Sequence, residues 1–254
     1  MMQLSPFAAG FQCRVAIMLI LLLAPCVGSP ADASPAGDVV PAGLASAPAT
    51  NSEAGSAGAA NERRVARHVE RANAALQAGR TQAAIDGYHE ALDLDPDYLP
   101  ARVNLAMLYS RQGETERSQA LLREGLANAD TPRRDRGHLA YLLALSLAEQ
   151  GEYETALDWL ARDAEWRPEH ARTFYNQALL LDRLGRQAAA LDALYRGLRL
   201  TPESPDLLYA AVYLNATQGH VSEALAVMEA LRRVAPDDPQ LGRLERQLKG
   251  QASP

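Results

Sequence analysis

Apolar and polar positions between Val65 and Asp238 follow one long period rather than a simple alternation. Gly79, Gly113, Gly151, Gly185 and Gly219 stand 34, 38, 34 and 34 residues apart. Seven positions before each glycine lies a small residue (Ala72, Ala106, Ala144, Ala178), replaced by Val212 in the last unit. Five positions after come Ala84, Ser118, Ala156, Ala190 and Ala224, and nine after come Tyr88, Leu122, Leu160, Leu194 and Met228. Seventeen after come Pro96, Asp130, Pro168, Pro202 and Pro236. This register predicts repeated helix pairs: the glycine takes the left-handed conformation that closes a first helix of about 14 residues, and the proline stops the second. Small residues allow two helices to cross closely, and large ones fill the space between neighbouring pairs. Ser204-Pro205 and Asp238-Pro239 each place a capping side chain before a proline at the first helical position.

The pattern of small, large, glycine and proline residues resembles the tetratricopeptide repeat family, whose units are antiparallel helix pairs of 34 residues. The resemblance implies an all-α, right-handed superhelical solenoid of five repeats, over about 65–98, 99–132, 137–170, 171–204 and 205–238, in a domain spanning 61–249. Arg133 to Arg136 is then an insertion between the second and third repeats, expected as a solvated loop. Pro239 to Lys249, with Leu241, Leu244 and Leu248 on one face, is expected as a capping helix over 239–249. Several residues depart from the family pattern. His68 and Arg102 replace a large apolar residue, Asp130 replaces the terminal proline, and Asp163 and Leu231 occupy a site that is usually small.

Upstream of the repeats the pattern changes. Arg14 precedes an apolar run of ten, Val15 to Ala24, and Ala31-Asp32-Ala33 has the small-x-small form cut by signal peptidase, so residues 1–33 read as an export signal. The run ends at Pro25 and is short of the about 20 residues that a spanning helix needs. The reading is a cleaved signal and a periplasmic or secreted protein, with an uncleaved anchor at residues 15–28, and hence membrane proximity, as the second option. Leu23-Ala24-Pro25-Cys26 is similar to a lipobox, but Pro25 stands where that motif wants a small residue. Residues 34–60 are mostly Ala, Pro, Ser and Gly and read as a disordered linker.

Composition narrows the function. The 254 residues carry 25 Lys+Arg and 31 Asp+Glu, a net charge of −6, without the basic face that nucleic-acid binding requires. Aromatic residues make up only 6%, so the core must be built from Ala and Leu. Both cysteines, Cys13 and Cys26, lie in the leader, and a mature chain would have no thiol chemistry. Lys249, the only lysine, follows no glycine-rich turn, so a phosphate loop is excluded. His68, His89, His138, His170 and His220 include no pair at helical spacing. These features predict neither enzyme activity nor a metal or cofactor.

The remaining candidate is a groove. Residues ten, nine and six before each glycine share one face of the first helix, and family members present that face to ligands. Carried onto this chain, the set is Val69, Glu70 and Asn73; Val103, Asn104 and Met107; Tyr141, Leu142 and Leu145; Tyr175, Asn176 and Leu179; Tyr209, Ala210 and Tyr213. Arg172 and Arg183 are expected at the rim. In the family, the position of Asn104 and Asn176 hydrogen-bonds a bound peptide's backbone, which a side-chain amide does by donating and accepting at once. The expectation is a non-enzymatic scaffold that binds a peptide segment of a partner protein. The alternative is a structural component acting by self-association into a homo-oligomer, or through the convex face.

Overall fold

The structure is a computed structural model that describes residues 53–252. The expected signal at 1–33 lies outside the described residues, as does the linker up to residue 52. Eleven α-helices and no strand occur among the described residues. They are α1 (Glu53–Gln77), α2 (Thr81–Leu94), α3 (Leu99–Arg111), α4 (Thr115–Ala127), α5 (Arg133–Glu149), α6 (Tyr153–Trp166), α7 (Ala171–Arg183), α8 (Gln187–Leu200), α9 (Pro205–Thr217), α10 (Val221–Val234) and α11 (Leu241–Ala252). The five spaced glycines all have positive φ, between 72° and 83°. Past each one the next amide reaches back five residues, as Arg80 N to Ala75 O at 2.8 Å and His220 N to Asn215 O at 2.8 Å. This closes the first helix while satisfying a carbonyl that would otherwise be orphaned. The chain divides into two compact units, one ending at Ser146 and the other opening at Leu147.

In the first unit, Val65, Val69, Ala72 and Ala75 of α1 pack on Ala84, Ile85, Tyr88 and Ala91 of α2 and on Ala101, Leu105, Leu108 and Tyr109 of α3. α1 is longer than the register requires. It runs back to Glu53, into the stretch read as linker, because alanine-rich sequence extends an already nucleated helix at little cost. Arg102 stands where the family has a large apolar residue, and its stem is buried. Its guanidinium donates to Glu124 at 2.8 Å, to Leu121 O at 3.3 Å and to Pro96 O. Asp130, in place of proline, ends the second repeat differently: its amide bonds Asn128 Oδ1 at 2.9 Å, a turn that stops a helix without a proline. The four-residue insertion is not a loop. It is an extra helical turn at the start of α5, which has 17 residues against 13 in α3. Arg133 and Arg134 are exposed on that turn, while Arg136 donates to Asn128 O at 3.2 Å and to Ala129 O, using carbonyls left over by the end of α4.

In the second unit, Tyr175 and Ala178 of α7, Ala190, Leu191, Ala193 and Leu194 of α8, and Leu207, Ala210, Ala211 and Leu214 of α9 form one core cluster. Leu208, Val212, Ala224, Met228, Leu231, Leu241 and Leu248 form another, with Leu244 packed against it. α11 starts at Leu241 rather than at Pro239. Asp238 does not cap it; its carboxylate accepts from Gln240 N at 2.8 Å and from the Tyr209 hydroxyl. Asp163 is fully buried at the contact of α6 with α7. Its carboxylate accepts from Arg167 Nε at 2.6 Å and from the Thr173 hydroxyl, and it meets His170 Nδ1 at 3.2 Å. Burial pushes this carboxyl up, but the hydrogen bonds from His170, Arg167 and Thr173 outweigh it and hold the group below its ordinary value.

Candidate peptide-binding face

The columns expected on the open face are not equally open. In the first unit Val69, Val103 and Asn104 are buried, whereas Asn73, Met107, Tyr141, Leu142 and Leu145 are half-buried and Glu70 is exposed. Asn104 is only 4% exposed because its amide is used internally: Nδ2 donates to Asn73 Oδ1 at 3.4 Å, and the Tyr88 hydroxyl donates to the same oxygen at 2.5 Å. Burial pushes the Tyr88 hydroxyl up to about 12, opposed by its hydrogen bond with Asn104 and by Arg111. This amide pair therefore ties the first repeat to the second.

In the second unit Tyr175, Asn176 and Ala210 are buried, while Leu179, Tyr209 and Tyr213 are half-buried. Tyr209 packs into the cluster under α11 as well as bonding Asp238. Arg172 is half-buried, and Arg183 is exposed beside Tyr153. Two columns are half-buried without exception. Six before the glycines they are Asn73, Met107 and Leu145 in one unit and Leu179 and Tyr213 in the other; thirteen before they are Ala66, Pro100 and His138, then Arg172 and Asp206. Positions seven apart lie two turns apart on one face. That face borders solvent, while most residues nine and ten before the glycine turn into the contact between successive first helices.

An open cleft of about 710 Å³ lies on this face in the second unit, between the start of α7 and the start of α9. Ala171, Tyr175, Pro202 and Leu207 supply its apolar lining, and Arg172, Glu203 and Asp206 its charges. Arg172 Nη1 donates to Asp206 Oδ2 at 3.3 Å. Burial, then the Asp206 charge, push the Tyr175 hydroxyl up to about 12, with Arg172 pulling the other way. Tyr213 is raised by burial and by Asp182. No group of three or more His, Cys, Asp and Glu among the described residues is placed to hold a metal ion.

Family models described as tetratricopeptide repeats match residues 75–136, 137–162 and 160–205, which together span just over half of the chain. The chain is a tetratricopeptide-repeat protein. Solved structures share the all-α solenoid fold. PilF of Pseudomonas aeruginosa is 21% identical over 75% of this chain and 85% of its own, with a TM-score of 0.63. MamA is 17% identical over 66% and 96%, with a TM-score of 0.58. YrrB, described as a tetratricopeptide-repeat protein with an unusual peptide-binding site, is 18% identical over 77% and 98%, with a TM-score of 0.57. No curated protein sequence matches the chain. Against the tetratricopeptide-repeat register, sequence reasoning missed Glu203, Asp206 and Asp182. The first two flank the start of α9, and only the stacking of α7 beside α9 brings them to the cleft.

Proposed function

We propose that this protein is an exported, non-enzymatic scaffold that binds a peptide segment of a partner protein on its first-helix face. The observation that carries the reading is that in each unit the columns thirteen and six before the glycines are half-buried, offering Met107 and Leu145 to solvent in one and Leu179 and Tyr213 in the other. Half-buried apolar and aromatic side chains on a rigid helical frame are the composition of interaction surfaces. The leader at residues 1–33 supports delivery to the periplasm or beyond, and mass spectrometry of the mature chain tests it: a first residue following Ala33 is expected. No helix among the described residues is long and apolar enough to cross a membrane.

The binding reading is tested by capture of partners from the cell envelope with the wild-type chain and with a Leu179→Glu, Tyr213→Ala variant. Loss of the captured protein, with helicity and unfolding midpoint retained, is the expected result. Recovery unchanged by the double substitution rules out this face.

A further inference from the structure

The inference rests on the proposed ligand-binding role of the first-helix face and names the chemistry of the ligand. On α7, Arg172, Tyr175, Leu179 and Asp182 follow at intervals of three and four residues, a single stripe. Asp206 of α9 contacts the Arg172 end, and Tyr213 of α9 feels the charge of Asp182 at the other. Ten residues of helix, at 1.5 Å each, separate the two ends by about 15 Å.

Charge along this stripe is unbalanced toward the acidic side once Arg172 and Asp206 are counted as a pair. Glu203 and Asp206 stand at one end and Asp182 at the other. The cations nearby are already engaged. Arg172 meets Asp206, and Arg183 donates to the Tyr153 hydroxyl at 3.2 Å with its guanidinium 5.4 Å from that ring. Glu203 is exposed and Asp182 half-buried, and Leu179, Tyr175 and Tyr213 lie between them. An acidic ligand would bring its charge against Glu203 and Asp182, the carboxylates left once Asp206 is paired with Arg172, whereas a basic one complements them.

We infer that this stripe takes a partner segment with a basic side chain at each end of a short apolar core. In extended form the two basic residues stand roughly four to five residues apart, since a strand advances about 3.3 Å per residue. The apolar core lies over Tyr175, Leu179 and Tyr213, and the two cations meet Glu203 at the cleft end and Asp182 at the other.

Fluorescence anisotropy with the full chain tests this, using three labelled peptides that share one apolar core and carry at both ends lysine, glutamine or glutamate. The lysine peptide is expected to bind most tightly and to weaken as salt rises from 50 to 300 mM, because partly exposed pairs are screened. Glu203→Gln and Asp182→Asn are each expected to weaken it by about threefold, the size of a partly exposed ion pair, and to leave the glutamine peptide unchanged. Equal binding of all three peptides, or preference for glutamate, overturns the charge assignment while leaving the peptide-binding face standing. Binding of none, together with partner capture that survives the Leu179→Glu, Tyr213→Ala change, overturns both.

Discussion

Gly125 in the first unit and Asp163 in the second occupy the same repeat position, twelve residues after the turn glycine, and solve one packing problem in opposite ways. At Gly125 the space is taken from across the contact: a Cβ there would lie 2.8 Å from Leu139 Cδ1 and 2.9 Å from Arg102 Cδ. The buried charge is a cation from the first helix, and its counterion Glu124 is 65% exposed. At Asp163 the charge is an anion from the second helix with no exposure, and its partners come from the next turn and helix. A position that the family keeps small thus tolerates charge when each polar atom has a partner, and the two units differ in whether that partner also has water.

The largest test of this contrast is Asp163→Ala. It strips Arg167, Thr173 and His170 of a shared acceptor inside the protein, and a cost of about 3–5 kcal/mol is expected from urea unfolding. Asp163→Asn retains the shape and should cost less. Because the folded carboxyl titrates below its ordinary value, the stability it lends is present above the unfolded pKa of about 3.9 and lost as pH falls through the lower folded value. The gap between wild type and Asp163→Asn should therefore close below about pH 4. A gap that persists into acid would show that the amide's N–H donors, set where the carboxylate accepts, and not the lost charge, make the cost.

Gly125→Ala comes next. Leu139 Cδ1 is the tip of its side chain, but Arg102 Cδ lies mid-chain behind a guanidinium held by three hydrogen bonds, so a loss of about 2 kcal/mol is expected by thermal unfolding. Arg102→Met should be milder, near 1 kcal/mol, because its thioether chain keeps most of the packing and Glu124 turns to water. If Arg102→Met proved as costly as Asp163→Ala, the distinction between a wetted and a dry counterion would fail.

Much of this architecture was legible in the chain. The glycine period located five helix pairs because a left-handed closure admits few other residues, and Asp163 was visible as a departure. Its network was only partly so: Arg167 is one turn on, but Thr173 and His170 arrive through the bend between α6 and α7. The open face was harder to read. Positions ten, nine and six before the glycine do share a helix side, yet which of them meets solvent depends on where the neighbouring first helix rests. That contact covers Asn104, Tyr175 and Asn176 and leaves open the column that begins with Asn73. The insertion at Arg133 read as a loop because it falls between two repeats, although arginine extends a helix as readily as it decorates a loop.

The smallest effect sets Asp163 against a second aspartate in the same unit. Asp182 is also partly removed from water, but Arg183 offsets little of that burial, and the carboxyl is raised rather than lowered. A raised acid binds its proton more tightly in the folded state, so its ionisation opposes folding: stability is full below the unfolded pKa and declines as pH rises through the folded one. Asp182→Asn should then be slightly more stable than wild type at pH 7, and the advantage should vanish near pH 4. The same substitution is expected to weaken the basic peptide. A gain in unfolding midpoint paired with a loss of ligand would mark Asp182 as a carboxylate kept for binding, as Asp163 is kept for packing. No gain at neutral pH would place both aspartates in the same structural role.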